Sequence, residues 1–181
     1  GLSAQEASSE PLKIGTFLSI TGQATFIGAP ALATLKLYVE LLNLQGGVLG
    51  RKIELIDYDI GTDPRTAQIA VRRLIYFDKV DVIIGGSTLG ASMAVLPIIS
   101  EAKVPFIALA NSGILLDPVR SWVFKSSQTH RMACNTIMHD IQQRGIEFIA
   151  VISGDNGFAS ATKVHCLDIA KTLGITVVSD E

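Results

Sequence analysis

The chain has 181 residues, of which 48% are hydrophobic, and this is enough for a domain with a substantial core. Its 15 basic and 17 acidic residues leave a formal charge of -2. That balance gives no electrostatic reason to expect nucleic acid or an anionic membrane as a partner. No uninterrupted apolar run approaches the roughly 20 residues that span a bilayer. These properties favour an ordinary globular protein.

Strands and helices alternate along the chain with little else between them. Short apolar runs predict seven strands, at residues 12–18, 53–58, 80–84, 104–109, 122–125, 148–152 and 175–178. Helical spacing and capping signals such as Asp63-Pro64 predict five helices, at residues 27–44, 63–77, 91–102, 130–144 and 158–173. Alternation of this kind implies parallel pairing through right-handed crossovers. The predicted fold class is α/β with a parallel, layered sheet.

The first residues and the cysteines say little about chemistry. Residues 1–11 are small, polar and acidic without periodicity, which predicts a flexible leader that could remain after removal of a signal peptide. Cys134 and Cys166 lie in predicted helices and are expected to be small buried hydrophobic side chains, with a disulfide left open. A metal site is not expected, because the three histidines lack metal-ligand spacing with the cysteines.

Loops rich in Gly, Ser and Thr follow three of the predicted strands, after Leu18, Ile84 and Leu109. Parallel strands place these loops at one edge of the sheet, where ligands of open α/β sheets bind. Hydroxyls, backbone N–H groups and helix N-termini suit an anion such as a carboxylate or a phosphate. One such loop is as often a simple turn, but three at one edge predict a ligand site.

Enzyme motifs are weak in this sequence. There is no G-x-x-x-x-G-K-[ST] or G-x-S-x-G run, and residues 85–90 miss the dinucleotide fingerprint because Ser87 stands at its third position. Asp57 and Asp59 end a predicted strand and could form a Mg²⁺ pair in a phosphoacceptor domain, but bracing of the adjacent loop is favoured. Asp155 has no partner nucleophile nearby. The chain is therefore not expected to be an enzyme or to hold a metal or cofactor.

An ordered set of short motifs resembles a known family, the leucine/isoleucine/valine-binding class of periplasmic binding proteins, which are extracellular ligand-binding receptors of ABC importers. The run NLQGGVLGRKI at residues 43–53 is the most specific of them. The other matching pieces are Lys13-Ile14-Gly15, Thr21-Gly22, Gly28, Asp59 with Asp63-Pro64, residues 84–87 and residues 104–107.

The resemblance implies the type I fold of this family, with two lobes that close over a ligand. The first lobe is expected at residues 12–120, and residues 121–181 are expected to hold the hinge crossing and a β-α-β part of the second lobe. Family members are considerably longer, so the chain is expected to be a shortened protein, a fragment or a divergent half-length protein. The resemblance also implies periplasmic localisation after removal of a signal peptide, and a membrane permease as partner.

Ligand-binding residues carry over from the resemblance position by position. The loop after the fourth strand would hold a ligand's carboxylate and ammonium through the backbone of Ala110 and the N–H and hydroxyl of Ser112. The preceding loop offers the hydroxyls of Ser87 and Thr88, although the position that aligns with the family's ligand contact is Leu89 or Gly90. Phe26 and Phe158 are equally well explained by packing. The full set is Ser87, Thr88, Leu89, Ala110, Ser112, Phe158, Ile27 (or its neighbour Phe26) and Thr21.

The leading hypothesis is a solute receptor for an amino acid or a related carboxylate, including aromatic and aliphatic acids, because Leu89, Phe26 and Phe158 would make an apolar wall. One alternative is a sensory or regulatory ligand-binding domain on the same fold. A less favoured alternative is an enzyme or phosphoacceptor domain that uses the strand-end aspartates. The open strands near the chain's end also predict a homodimer of the shortened chain.

Overall fold

The computed structural model describes residues 10–155 and 157–181, without the side chains of residues 157 and 158. Within these residues two compact units are distinguished. The first unit contains residues 10–110 and 114–126, and the second contains residues 111–113 and 127–181. Most of the predicted leader, residues 1–9, lies outside the described residues.

Seven strands and five helices alternate along the described chain, as the sequence predicts. The strands are β1 (Leu12–Leu18), β2 (Ile53–Asp59), β3 (Val82–Gly85), β4 (Phe106–Ala108), β5 (Val123–Lys125), β6 (Phe148–Val151) and β7 (Thr176–Asp180). The helices are α1 (Thr25–Leu44), α2 (Pro64–Tyr76), α3 (Leu89–Ala102), α4 (His130–Gln143) and α5 (Gly157–Thr172), with a short 3-10 turn at Gly113–Leu115.

The first unit is built on a five-stranded sheet in the order β2-β1-β3-β4-β5. Every neighbouring pair is parallel, with Leu12 opposite Ile53 and Ile83 opposite Phe106. The predicted parallel α/β class is therefore confirmed. Strand β5 pairs with β4, so the sheet of the first unit extends to Lys125. The predicted limits of the two lobes, residues 12–120 and 121–181, stay a prediction.

One face of this sheet carries the main core. Phe17, Ile83 and Phe106 point from it and are fully buried, and the rings of Phe17 and Phe106 lie 5.6 Å apart between centroids. Helices α2 and α3 cover this face with apolar residues at helical spacing. Asp63 caps α2 by accepting a hydrogen bond from the backbone N–H of Thr66 at 2.8 Å, which explains why the helix begins where the sequence predicts.

Helix α1 packs on the other face, over β1 and β2. Its Lys36 forms an ion pair at 3.3 Å with Asp57, whose neighbours along β2 point into the main core. On this second face Ile84, Ile107 and Phe124 stand in register across three strands, and Phe124 is more than half exposed. The face is therefore closed by α1 at one side and left partly open at the other within the described residues.

By length and composition alone, α1 could cross a membrane: its 20 residues include an 18-residue window with a mean hydropathy of 1.3. This differs from the expectation that no apolar segment approaches a membrane span. The helix follows β1, its Gly28 and Leu32 are buried, and Gly28 lies against the backbone of Ser19 just after β1. Its ion pair with β2 and this packing identify α1 as the first helix of the α/β unit.

The second unit consists of α4, α5 and the parallel pair β6–β7. Its small core contains Cys134, Met138, Cys166, Ile169, Ala170 and Ile175. Cys134 and Cys166 form a disulfide, with Cα atoms 4.8 Å apart, so the expectation of two unbonded cysteines is wrong. The pairing arises because α4 and α5 pack together, which brings residues 32 positions apart to one point.

Candidate ligand-binding site

The loops after β1, β3 and β4 leave the sheet at the same edge. The three strands are mutually parallel and end at Leu18, Gly85 and Ala108. The expected shared edge is therefore confirmed for the first-unit residues that follow these ends, which are Ser19, Thr21, Ser87, Thr88 and Ala110.

Two serines join the loop after β1, called the first loop, to the loop after β3. The backbone N–H of Ser19 donates a hydrogen bond to Oγ of Ser87 at 3.0 Å, across 68 positions of sequence. Both side chains are buried, and Oγ of Ser19 has no hydrogen-bond partner within the described residues. Because Ser87 accepts this bond, its own hydroxyl proton stays available to a ligand. Two buried serines therefore lie at the ends of β1 and β3, which are neighbours in the sheet.

Tight backbone packing supports these serines and requires glycine at two positions. Gly86 has φ of 74°, a region that favours glycine, and a Cβ there would clash with the side chain of Ser92. A Cβ on Gly28 would lie 2.6 Å from the carbonyl carbon and 2.7 Å from the nitrogen of Ser19. The first turns of α1 therefore rest directly on the backbone of the first loop.

The N-terminus of α3 opens onto the same edge. Thr88 is its N-cap, and Thr88 Oγ1 accepts a hydrogen bond from the backbone N–H of Ala91 at 3.3 Å. The backbone N–H groups of Leu89 and Gly90 in the first turn have no intrahelical acceptor. Since unpaired N–H groups and the helix dipole attract negative charge, this end favours an anionic ligand group.

Asp59 braces the first loop. Its Oδ1 accepts hydrogen bonds from the backbone N–H groups of Ile20, Thr21 and Gly61 at 3.0, 3.1 and 2.9 Å, and its Oδ2 accepts one from Oγ1 of Thr21 at 2.6 Å. Partial burial acts to raise the pKa of Asp59, but these hydrogen bonds outweigh it and hold the pKa below its usual value. The hydroxyl proton of Thr21 is thus committed to Asp59, which makes Thr21 a residue that shapes the loop.

Both carboxylates of the alternative Mg²⁺ pair contact other groups of the protein. Asp59 accepts hydrogen bonds from the first loop, and Asp57 forms an ion pair with Lys36. Within residues 10–155 and 157–181 no group of three or more His, Cys, Asp and Glu side chains could hold a metal ion. The loop-bracing interpretation of Asp59 is the one that its contacts support.

Apolar side chains flank the serines. Phe26 is 76% exposed and Ile27 is 43% exposed at the start of α1, so core packing does not explain Phe26. Leu89 is also exposed, whereas Ala110, two residues after the end of β4, is buried. These exposed side chains are available as an apolar wall.

Two predicted residues are not placed at this edge. Ser112 groups with the second unit through residues 111–113, so its role beside Ser87 stays a prediction. The side chain of Phe158 lies outside the described residues.

A pair in the second unit escaped the sequence analysis. His130 is buried at the start of α4, and its Nδ1 lies 2.6 Å from Oγ1 of Thr162 on α5. Thr129 caps α4 by accepting a hydrogen bond from the N–H of Met132 at 3.2 Å. The sequence signal was the Thr129–His130 helix start, but the partner on α5 was not recognisable from spacing.

Comparison with known proteins gives consistent matches. Leu/Ile/Val-binding protein homolog 7 of Brucella abortus is 26% identical over 181 aligned residues, which cover 94% of this chain and 45% of the relative. The chain therefore spans about half the length of the curated relatives it matches.

Solved structures agree in fold. The branched-chain amino acid transporter substrate-binding protein LivJ of Streptococcus pneumoniae, in complex with isoleucine, superposes with a TM-score of 0.82 at 21% identity, over 95% of this chain and 49% of that protein. A solute-binding protein of an ABC transporter from Rhodopseudomonas palustris, in complex with 3,4-dihydroxybenzoic acid, superposes with a TM-score of 0.81 at 25% identity, over 94% and 46%.

The family model for periplasmic binding proteins matches residues 11–181, nearly the whole chain. The parallel sheet, the shared loop edge and these similarities lead to one conclusion. The chain belongs to the periplasmic binding protein family.

Proposed function

We propose that the chain is the ligand-capturing first part of an extracytoplasmic solute receptor that delivers a small carboxylate to an ABC importer. The observation that carries this proposal is the edge formed by Ser19, Ser87 and the N-terminus of α3. These groups are hydrogen-bond donors in a partly buried setting, which suits a carboxylate. The proposed role is binding without catalysis, which these donors support because they can hold and orient a carboxylate.

The ligand class follows from the flanks of this edge. Exposed Phe26, Ile27 and Leu89 offer apolar surface next to the donors, which suits an aliphatic or aromatic side chain. The Brucella relative is named for leucine, isoleucine and valine, and the Rhodopseudomonas protein was crystallised with a dihydroxybenzoate. We therefore propose an amino acid or a related aromatic or aliphatic carboxylate as ligand, with a second lobe closing over it and a membrane permease receiving it.

The substitution Ser87→Ala tests the proposal and is made in the natural full-length protein that contains this chain. A hydrogen bond to a charged ligand group is worth about 1.5–3 kcal/mol, so affinity should fall roughly ten- to a hundredfold. Calorimetric titration with leucine, isoleucine, valine, benzoate and dihydroxybenzoate measures it.

Ser100→Ala, at the exposed end of α3 away from this edge, is the matched control and should leave affinity unchanged. Ser112→Ala should weaken binding by a similar factor if Ser112 reaches the ligand. A ligand from this panel that binds wild type and Ser87→Ala equally well would remove Ser87 from the site. Saturable binding of a non-acidic solute in place of these acids would overturn the carboxylate assignment.

A further inference from the structure

The loop after β2 contains a backbone conformation that one of its side chains disfavours. Gly61 and Thr62 both have a positive φ, of 53° and 65°. Glycine adopts this left-handed region freely, whereas a β-branched residue such as threonine rarely does. A strained residue persists only where its surroundings hold it in place, and such residues cluster at ligand sites. The contacts of Thr62 therefore indicate what the strain maintains.

The hydroxyl of Thr62 contacts the chain at two points between β1 and α1. Its Oγ1 accepts a hydrogen bond from the backbone N–H of Ala24 at 3.1 Å and donates one to the carbonyl of Thr21 at 3.3 Å. The turn is also tightly packed here, since a Cβ on Gly22 would lie 2.6 Å from the carbonyl oxygen of Gly61 and 2.8 Å from Oγ1 of Thr62. One hydroxyl thus joins the loop after β2 to the first loop and to the start of α1, and this connection is called the Thr62 clamp.

Helix α1 has no capping side chain of its own. Its N-cap residue is Ala24, whereas α2, α3 and α4 are capped by the side chains of Asp63, Thr88 and Thr129. The N–H groups at the start of a helix have no intrahelical acceptor and need a partner from elsewhere. Because the hydroxyl of Thr62 accepts from the N–H of Ala24, the clamp supplies from another loop a contact that the sequence around Ala24 does not provide.

We propose that Thr62 is a positioning residue of the ligand-binding edge, whose clamp sets the position of Phe26 and Ile27. These two exposed side chains follow Ala24 by two and three residues, in the first turn of α1. The inference rests on the proposed function, because it assigns Phe26 and Ile27 to the apolar side chain of the ligand. Holding them in place before the ligand arrives improves affinity, since binding then costs less conformational entropy.

Hydrogen exchange in the natural full-length protein tests the clamp without any ligand. Thr62→Val keeps the shape and the β-branch but removes the hydroxyl, so the amide of Ala24 should exchange roughly three- to tenfold faster. Thr62→Ser keeps the hydroxyl and should restore slow exchange. Thr34→Val is the matched control and should leave Ala24 unchanged, because the hydroxyl of Thr34 bonds within α1 to the carbonyl of Pro30 at 2.9 Å. Equal exchange of the Ala24 amide in wild type and Thr62→Val would overturn the clamp.

Calorimetric titration tests the positioning role. Leucine and alanine share a carboxylate and an ammonium but differ in apolar side chain, and benzoate and acetate form the corresponding pair of simple acids. In Thr62→Val, affinity for the larger member of the pair that binds wild type should fall roughly three- to tenfold, because the ligand must then fix the wall itself. The smaller member should lose less, and Thr62→Ser should recover the wild-type ratio. A merely structural role would weaken both members equally, and that result would overturn the inference.

Thr62→Gly separates the hydroxyl from the backbone conformation. Glycine accepts the φ of 65° without strain but lacks the hydroxyl, so this variant should bind like Thr62→Val while its urea midpoint lies at or above that of Thr62→Val. Wild-type affinity for the larger acid in both variants would overturn the positioning role and leave the proposed function standing. If neither these acids nor the rest of the panel bind wild type, the proposed function fails together with the positioning role, and exchange at Ala24 still decides the clamp.

Discussion

The contact between Gly28 of α1 and the backbone of Ser19 holds the candidate site together, and Gly28→Ala probes it directly. The added Cβ would lie 2.6 and 2.7 Å from backbone atoms of Ser19, which cannot yield as a flexible side chain would. The carbonyl oxygen of Ser19 would lie closer still, so the helix or the loop must move by roughly an ångström, and overpacking of this kind costs about 1–3 kcal/mol. Alanine regains about 0.5–1 kcal/mol through its better helix propensity. The net expectation is a loss of about 1–2 kcal/mol.

Gly90→Ala is the matched control because Gly90 lies in the first turn of α3. The nearest heavy atom to its added Cβ is Cγ of Pro64 at 3.7 Å, an ordinary contact, so this variant should be neutral or slightly stabilising. The chain has one tryptophan, Trp122, and it packs against the first unit's core. Its fluorescence in a urea titration therefore follows the first unit alone.

With a typical urea dependence, the midpoint of Gly28→Ala should fall by about 0.5–1 M while that of Gly90→Ala stays within error. Because the Ser19 backbone also carries the bond to Ser87, affinity for the ligand should fall together with the midpoint. Equal midpoints for the two alanine variants would refute the claim that the close approach of α1 to the first loop controls stability.

Three further predictions concern the disulfide, the loop brace and self-association. Removing the disulfide by Cys134→Ala and Cys166→Ala should cost the second unit about 3.7 kcal/mol, from closure of a loop of 32 residues, as measured by hydrogen exchange; a loss below about 1 kcal/mol would contradict it. Because its pKa is lowered in the folded state, Asp59 should stabilise the first unit fully above about pH 4, and this stabilisation should be lost as the pH falls through the folded-state pKa. In an acid titration followed by tryptophan fluorescence, Asp59→Asn should remove this pH-dependent component. An unchanged titration would exclude a bracing role for Asp59. Ile152 is 86% exposed and Val178 is also exposed beside the β6–β7 pair, so light scattering should show concentration-dependent association that Ile152→Ser with Val178→Ser reduces; a monomer at all concentrations would contradict it.

Small differences at element boundaries show how local signals are modified by their surroundings. The strand predicted from Val80 begins at Val82, because the N–H of Val80 donates to the carbonyl of Leu74 and completes the end of α2. The helix predicted from Ala91 begins at Leu89, because the Thr88 hydroxyl caps it. Both shifts come from hydrogen bonds, and hydrophobic periodicity does not indicate which groups form them.

The tasks of individual polar residues were harder to foresee than their positions. The sequence placed Ser87 and Thr21 at the correct edge, because parallel strands send their loops to one side. It did not show that the hydroxyl of Thr21 donates a hydrogen bond to Asp59, or that the backbone N–H of Ser19 donates one to the hydroxyl of Ser87. Each of these contacts joins residues at least 38 positions apart, and only the completed sheet brings them within hydrogen-bonding distance.

The alternation of apolar strands and capped helices determined the α/β class, the parallel pairing and the shared loop edge from the sequence alone, because these depend on local periodicity and on the handedness of crossovers. The tertiary structure decided the rest. Because α4 packs on α5, Cys134 and Cys166 form a disulfide that the sequence left open. Helix α1 is apolar enough to cross a membrane, but its packing on β1 and β2 makes it part of the first unit. Side-chain pairing over long sequence separations is set by how elements dock, which no local pattern encodes.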